Sequence, residues 1–175
     1  MRTVALFRNV NQGQRGHPST TDLLGALHDA GSGEAVAFRS NGTIVFDADA
    51  PSEVASRAVE ALTARTGLTR ECFTISMDEL GRIVDAHAGE PDAERRELTL
   101  HRGGTIDIDD PAVVQEASRR RCVIVASSDG WTVSVNERER ESNATPVIER
   151  ITAAPATSRS LGTLVRVVDR FARPD

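Results

Sequence analysis

The residues in this chain best suited to chemistry are arginines and asparagines set among glycines. The stretch Arg8-Asn9-Val10-Asn11-Gln12-Gly13-Gln14-Arg15-Gly16-His17-Pro18 follows an apolar run and leads into a capped helix. Guanidinium and amide groups of this kind hold phosphate or carboxylate through charge-assisted hydrogen bonds. Unpaired N–H groups at a helix start add a positive end to such a seat. His17 is the nearby side chain whose ordinary pKa suits general acid/base work.

Composition narrows that chemistry. All 21 basic residues are arginine, which excludes a lysine Schiff base and a Walker-type phosphate lysine. The net charge of -5 argues against bulk capture of nucleic acid or an anionic membrane. Tyrosine is absent and aromatics make up 3%, too few for a base-stacking platform. Cys72 and Cys122 each open an apolar run and read as buried thiols. With four scattered histidines they form neither C-x-x-C nor H-E-x-x-H, so no metal site is expected.

No cofactor fingerprint is present: Gly13-x-x-Gly16 is too short for a phosphate loop, and Asp107, Asp109 and Asp110 lack calcium-loop spacing. Arg119-Arg120-Arg121 reads as cations favoured at a helix C-terminus. With no signal-like or membrane-spanning run, a cytoplasmic location without membrane contact is expected.

The elements that must position these groups follow from periodicity and punctuation. Residues 2–8 form a buried strand. Ser19, with Asp22 three positions on, caps a helix whose stripe is Leu23, Leu24, Leu27 and Ala30. Residues 35–40 and 43–46 flank Asn41-Gly42, which predicts a hairpin with a type I′ turn. Pro51 opens a second helix that stops near Gly67, a strand follows at 72–75, and Ser76 with Glu79 caps a third helix. The order β-α-β-β-α-β is the split βαβ pattern of a ferredoxin-like sandwich.

Residues 89–96 are polar and read as a linker between two α+β subdomains, 1–88 and 97–175. The second half repeats β-α-β-β-α, with strands at 98–101, 122–126 and 131–135 and helices opened by Pro111 and Pro146. It is expected to end in a helix over 158–172 where the first half has a fourth strand. Thr157 reads as the cap of that helix and Arg159 as its docking cation, and both also stand among the ligand-binding candidates.

Val4-Ala5-Leu6-Phe7-Arg8-Asn9-Val10-Asn11-Gln12-Gly13 resembles the opening of domain-of-unknown-function family 1697. Ser40-Asn41-Gly42-Thr43-Ile44-Val45-Phe46 is similar to its hairpin, and Pro155-Ala156-Thr157-Ser158-Arg159 to its closing motif. The resemblance implies an α+β fold with a ferredoxin-like half, and no activity. Asn9 replaces the family's glycine, Ser40 and Thr43 replace its hairpin glutamine and asparagine, and Leu161 replaces a tryptophan.

In such a sandwich the end of strand one, the turn after strand two and the entry to strand four share an edge. The topology therefore gathers Arg8, Asn11, Arg15, Arg39, Asn41, Arg70 and His17. The leading expectation is a binding module for a small anionic or phosphate-bearing ligand. The alternatives are a cofactor-independent enzyme using His17 at the same edge and an oligomerising scaffold; the oligomeric state is not encoded in any pattern found.

Overall fold

In a computed structural model of the chain, the structure describes residues 1–172. The chain is α+β and forms two compact units, Met1–Glu79 and Leu80–Asp175, of which 173–175 lie outside the described residues.

In the first unit β1 (Arg2–Phe7), β2 (Ala35–Phe38), β3 (Thr43–Asp47) and β4 (Cys72–Ser76) form an antiparallel sheet of order β2-β3-β1-β4. Its helices are α1 (Thr20–Asp29) and α2 (Pro51–Thr66), and α3 (Met77–His87) begins directly after β4. Ala5 and Phe7 of β1 and Ile44 and Phe46 of β3 pack with Leu23 and Leu27 of α1 and Ala58 and Leu62 of α2. That alternation is what the period-2 and period-3.6 patterns demand. Pro51 opens α2, and Gly67 closes it in the left-handed region.

The second unit repeats this order: β5 (Arg96–His101), α4 (Pro111–Arg119), β6 (Cys122–Ser128), β7 (Trp131–Asn136), α5 (Ala144–Thr152), β8 (Ala156–Ser160) and α6 (Leu161–Phe171). Its sheet order β6-β7-β5-β8 matches that of the first unit position for position. Asp110 caps α4 by accepting the Ala112 N–H at 2.8 Å.

Two local expectations are corrected. The β2–β3 connection is not a two-residue type I′ turn. Phe38 faces Thr43, so 39–42 form a four-residue loop, with positive φ at Arg39 and Gly42. Gly42 is required there, because a Cβ would lie 2.9 Å from the Phe7 carbonyl oxygen and from Val10 Cβ.

The second half does have a fourth strand. Ala156 to Ser160 pairs with β5 from His101 back to Glu97, so Thr157 is a buried strand residue and not a helix cap. Small and hydroxylated residues hid a strand whose burial comes from its neighbours. Between α3 and β5, Gly89, Glu90 and Pro91 are exposed. Ala93–Arg95 form a turn of 3-10 helix, and the buried Arg96 pairs with Asp92 and Glu90.

Candidate functional site

The three loops at one edge of the first sheet are tied together by main-chain hydrogen bonds. As β1 ends, Phe7 N–H donates to Gly42 O and Arg8 N–H to Glu71 O, both at 2.8 Å. Gln12 N–H then donates to Ser40 O at 2.8 Å, joining the loop that carries Arg15 to the loop that carries Arg39. Arg70 reaches from the third loop, donating from Nε to Asn9 O (3.3 Å) and from Nη2 to Gly16 O (3.1 Å). Sequence reasoning therefore placed these loops correctly.

Most of the polar groups gathered there build the junction. Arg8 lies 3.8 Å from Glu71, half-buried on both sides. Asn11 N–H donates to His17 Nδ1 at 3.1 Å, which commits one ring nitrogen of the expected acid/base to holding the loop. Asn41 Oδ1 accepts the Thr43 N–H at 3.3 Å, closing an Asx-type turn. Asn9 takes φ 53°, a left-handed conformation that asparagine tolerates where the family resemblance has glycine.

The start of α1 is also occupied. Ser19 Oγ accepts the Asp22 N–H at 3.1 Å, and Asp22 Oδ2 accepts the Ser19 N–H at 2.9 Å. The Ser19 hydroxyl, and next its main-chain N–H, hold the Asp22 carboxyl below the ordinary carboxylate range. A carboxylate already faces this positive helix end, so a bound anion must be held by side chains.

Two cations and one amide remain for that role. Arg15 is exposed and has no side-chain partner among the described residues. Arg39 is exposed, its guanidinium carbon 5.8 Å from the Phe38 ring centroid, and its φ of 60° is uncommon for arginine. Gln12 contributes an amide whose nitrogen and oxygen are both buried with no hydrogen-bond partner. A lone glutamine among loop residues offered no signal, because its burial comes from the packing of two distant segments.

Thr157 and Arg159 belong to the second unit. Arg159 Nη1 donates to Thr157 Oγ1 (3.1 Å) and to Ser158 O (2.7 Å), a strand-stiffening arrangement opposite Leu100 and Leu98. Sequence reasoning also missed a buried polar layer in that unit. Glu97, 2% exposed, accepts Ser142 Oγ and Ala144 N–H, each at 2.7 Å, and so caps α5 from β5. Ser158 Oγ lies within hydrogen-bond distance of both Thr99 Oγ1 (2.7 Å) and Thr145 Oγ1 (2.6 Å). Alternation of Glu97, Thr99 and His101 with leucines reads as a solvent-facing row, yet α5 covers it.

Both cysteines are buried, and neither forms a disulfide among the described residues. Among the described residues no group of three or more His, Cys, Asp or Glu side chains is placed to hold a metal, and no helix is long and apolar enough to cross a membrane.

A family model described as a protein of unknown function (DUF1697) matches residues 1–129, which stops short of the closing motif around Thr157. No curated protein matches the chain. Among solved structures, the conserved bacterial protein SP0830 from Streptococcus pneumoniae is similar over 98% of both chains, with a TM-score of 0.60 and 16% identity. That likeness is one of fold.

Proposed function

The chain belongs to the DUF1697 family of unknown function, and from that premise we propose that its first unit binds a small anionic or phosphate-bearing ligand at the three-loop edge. Arg15 and Arg39 are the cations that meet it, and the Gln12 amide supplies a neutral donor. Arg8, Asn11, Asn41 and Arg70 act behind them, holding the loops.

One observation supports the reading above the others. The junction fixes two loops by the Gln12–Ser40 main-chain bond, while leaving the Gln12 amide buried and unpartnered beside arginine-bearing loops. An unpaired buried polar group costs roughly 1–3 kcal/mol, and a ligand oxygen accepting from Gln12 Nε2 would relieve the donor half of that amide. Anchored loops also reduce the ordering cost of binding.

Isothermal titration with inorganic phosphate and pyrophosphate tests this. Saturable binding is expected, and Arg15→Ala or Arg39→Ala should each weaken it by about tenfold or more, as loss of a charge-assisted bond implies. Unchanged affinity in both variants, or no heat with either anion in the parent protein, overturns the assignment.

A further inference from the structure

Wholly within the second unit, a cleft of about 410 Å³ runs between α4 and the edge strand β6. Its floor is apolar, made by Val113 and Ala117 of α4 and by Cys122 and Ile124 of β6. Each wall adds an exposed valine, Val114 at 52% and Val123 at 61%. Apart from Met1, these are the large hydrophobic side chains exposed among the described residues. Concentration of exposed apolar surface at one cavity marks a binding site more often than a solvated face.

The charged lining restricts the occupant. Arg95 is half-buried and donates through Nη1 to the main-chain carbonyls of Asn136 and Glu137, each at 3.3 Å. Its Nε and Nη2 have no hydrogen-bond partner, and no carboxylate lies within ion-pair distance of it among the described residues; Asp92 acts on it only at longer range. Arg121, by contrast, is paired with Glu141 at 3.3 Å. A half-buried guanidinium with no carboxylate in contact keeps two donor nitrogens for an anion. The one carboxylate lining the cleft, Glu137, disfavours an occupant carrying several negative charges.

We propose that this cleft binds a monocarboxylic acid with a short aliphatic tail, its carboxylate on Arg95 and its tail between α4 and β6. Binding is non-covalent: burial, and secondarily Glu97, push the Cys122 thiol up to about 11, so it remains protonated at neutral pH.

Titration calorimetry with octanoate, 1-octanol and acetate tests the assignment. Octanoate should bind saturably, 1-octanol about tenfold more weakly, and acetate not measurably. Arg95→Gln should reduce octanoate to the level of 1-octanol while leaving 1-octanol unchanged. Ala117→Phe, which fills the floor, should abolish both. Because that variant could fail to fold, Val114→Glu at the exposed wall serves as the second probe and should weaken both. Absence of octanoate binding in the parent protein overturns the proposal. So does an octanoate affinity that Arg95→Gln and Val114→Glu leave unchanged.

Discussion

The same edge of the same fold occurs twice in this chain, with opposite charge. In the first unit the loops carry Arg8, Arg15, Arg39 and Arg70, with Glu71 paired to Arg8. At the matching edge of the second unit they carry Asp107, Asp109, Asp110 and Asp129, with Arg102. The correspondence is structural: Phe7 N–H donates to Gly42 O at 2.8 Å, and His101 N–H to Gly130 O at 3.0 Å. Both glycines are left-handed, with φ 75° and 82°. The sheet and its turns need glycine there, and they leave the charge of the surrounding loops open.

A second contrast lies beneath the helices. Ala5 faces Ile44 and Thr74 in the first sheet, whereas Thr99 faces Thr132 and Ser158 in the second. Phe7 becomes His101, and Phe46 becomes Ser134. One architecture thus tolerates an apolar and a polar helix-facing layer. The polar version is incompletely satisfied: Thr132 Oγ1 and Ser134 Oγ are buried without partners. Repeat architecture depends on which positions are buried, and polar identity is secondary where hydrogen bonds can be found.

The comparison can be broken most severely in the apolar unit. Phe7 is fully buried among α1 and α2, so Phe7→Ala should cost about 3–5 kcal/mol in a denaturant melt. A loss below ~1 kcal/mol would mean that this layer is not the core of the first unit.

Acid should act more gently and on the polar unit. Desolvation lowers the pKa of His101, and desolvation together with Arg96 lowers that of His87. The unfolded chain therefore binds these protons more readily. Their contribution to stability is fully present above about pH 6.5 and is lost as pH falls through the lowered folded values. The melting temperature should drop between pH 7.5 and 5, and by less in His101→Gln. An identical pH dependence in that variant would contradict the assignment.

The smallest effect should have the opposite sign. Thr132→Val keeps the shape and removes a buried hydroxyl without a partner, so a gain of about 1 kcal/mol is expected. Destabilisation by a similar amount would show that the hydroxyl has a partner, such as a bound water.

How much of this was legible depended on range. Ser19–Asp22, Pro51, Gly67 and Pro111 announced helix ends because such signals act within a few residues. The β-α-β-β-α-β order gave the first sheet, and with it the meeting of three loops. The strand at Ala156 carried no apolar alternation, so its pairing with β5 was invisible. The Asn41-Gly42 signal was real, but Arg39 takes one of the two left-handed positions because the loop has four residues. Gln12, Arg95 and Glu97 take their character from segments distant in sequence, and no local pattern marks them.

The internal contrast supplies the most direct test of the anion-binding claim. In a two-dimensional ¹⁵N–¹H titration with inorganic phosphate at fixed ionic strength, amides of residues 9–16 and 39–42 should shift saturably. Those of 102–110 and 129–130, on the acidic edge, should not, and the shifts should disappear in an Arg15→Ala, Arg39→Ala double variant. Equal shifts at both edges, or no saturable shift at the first, would contradict the account.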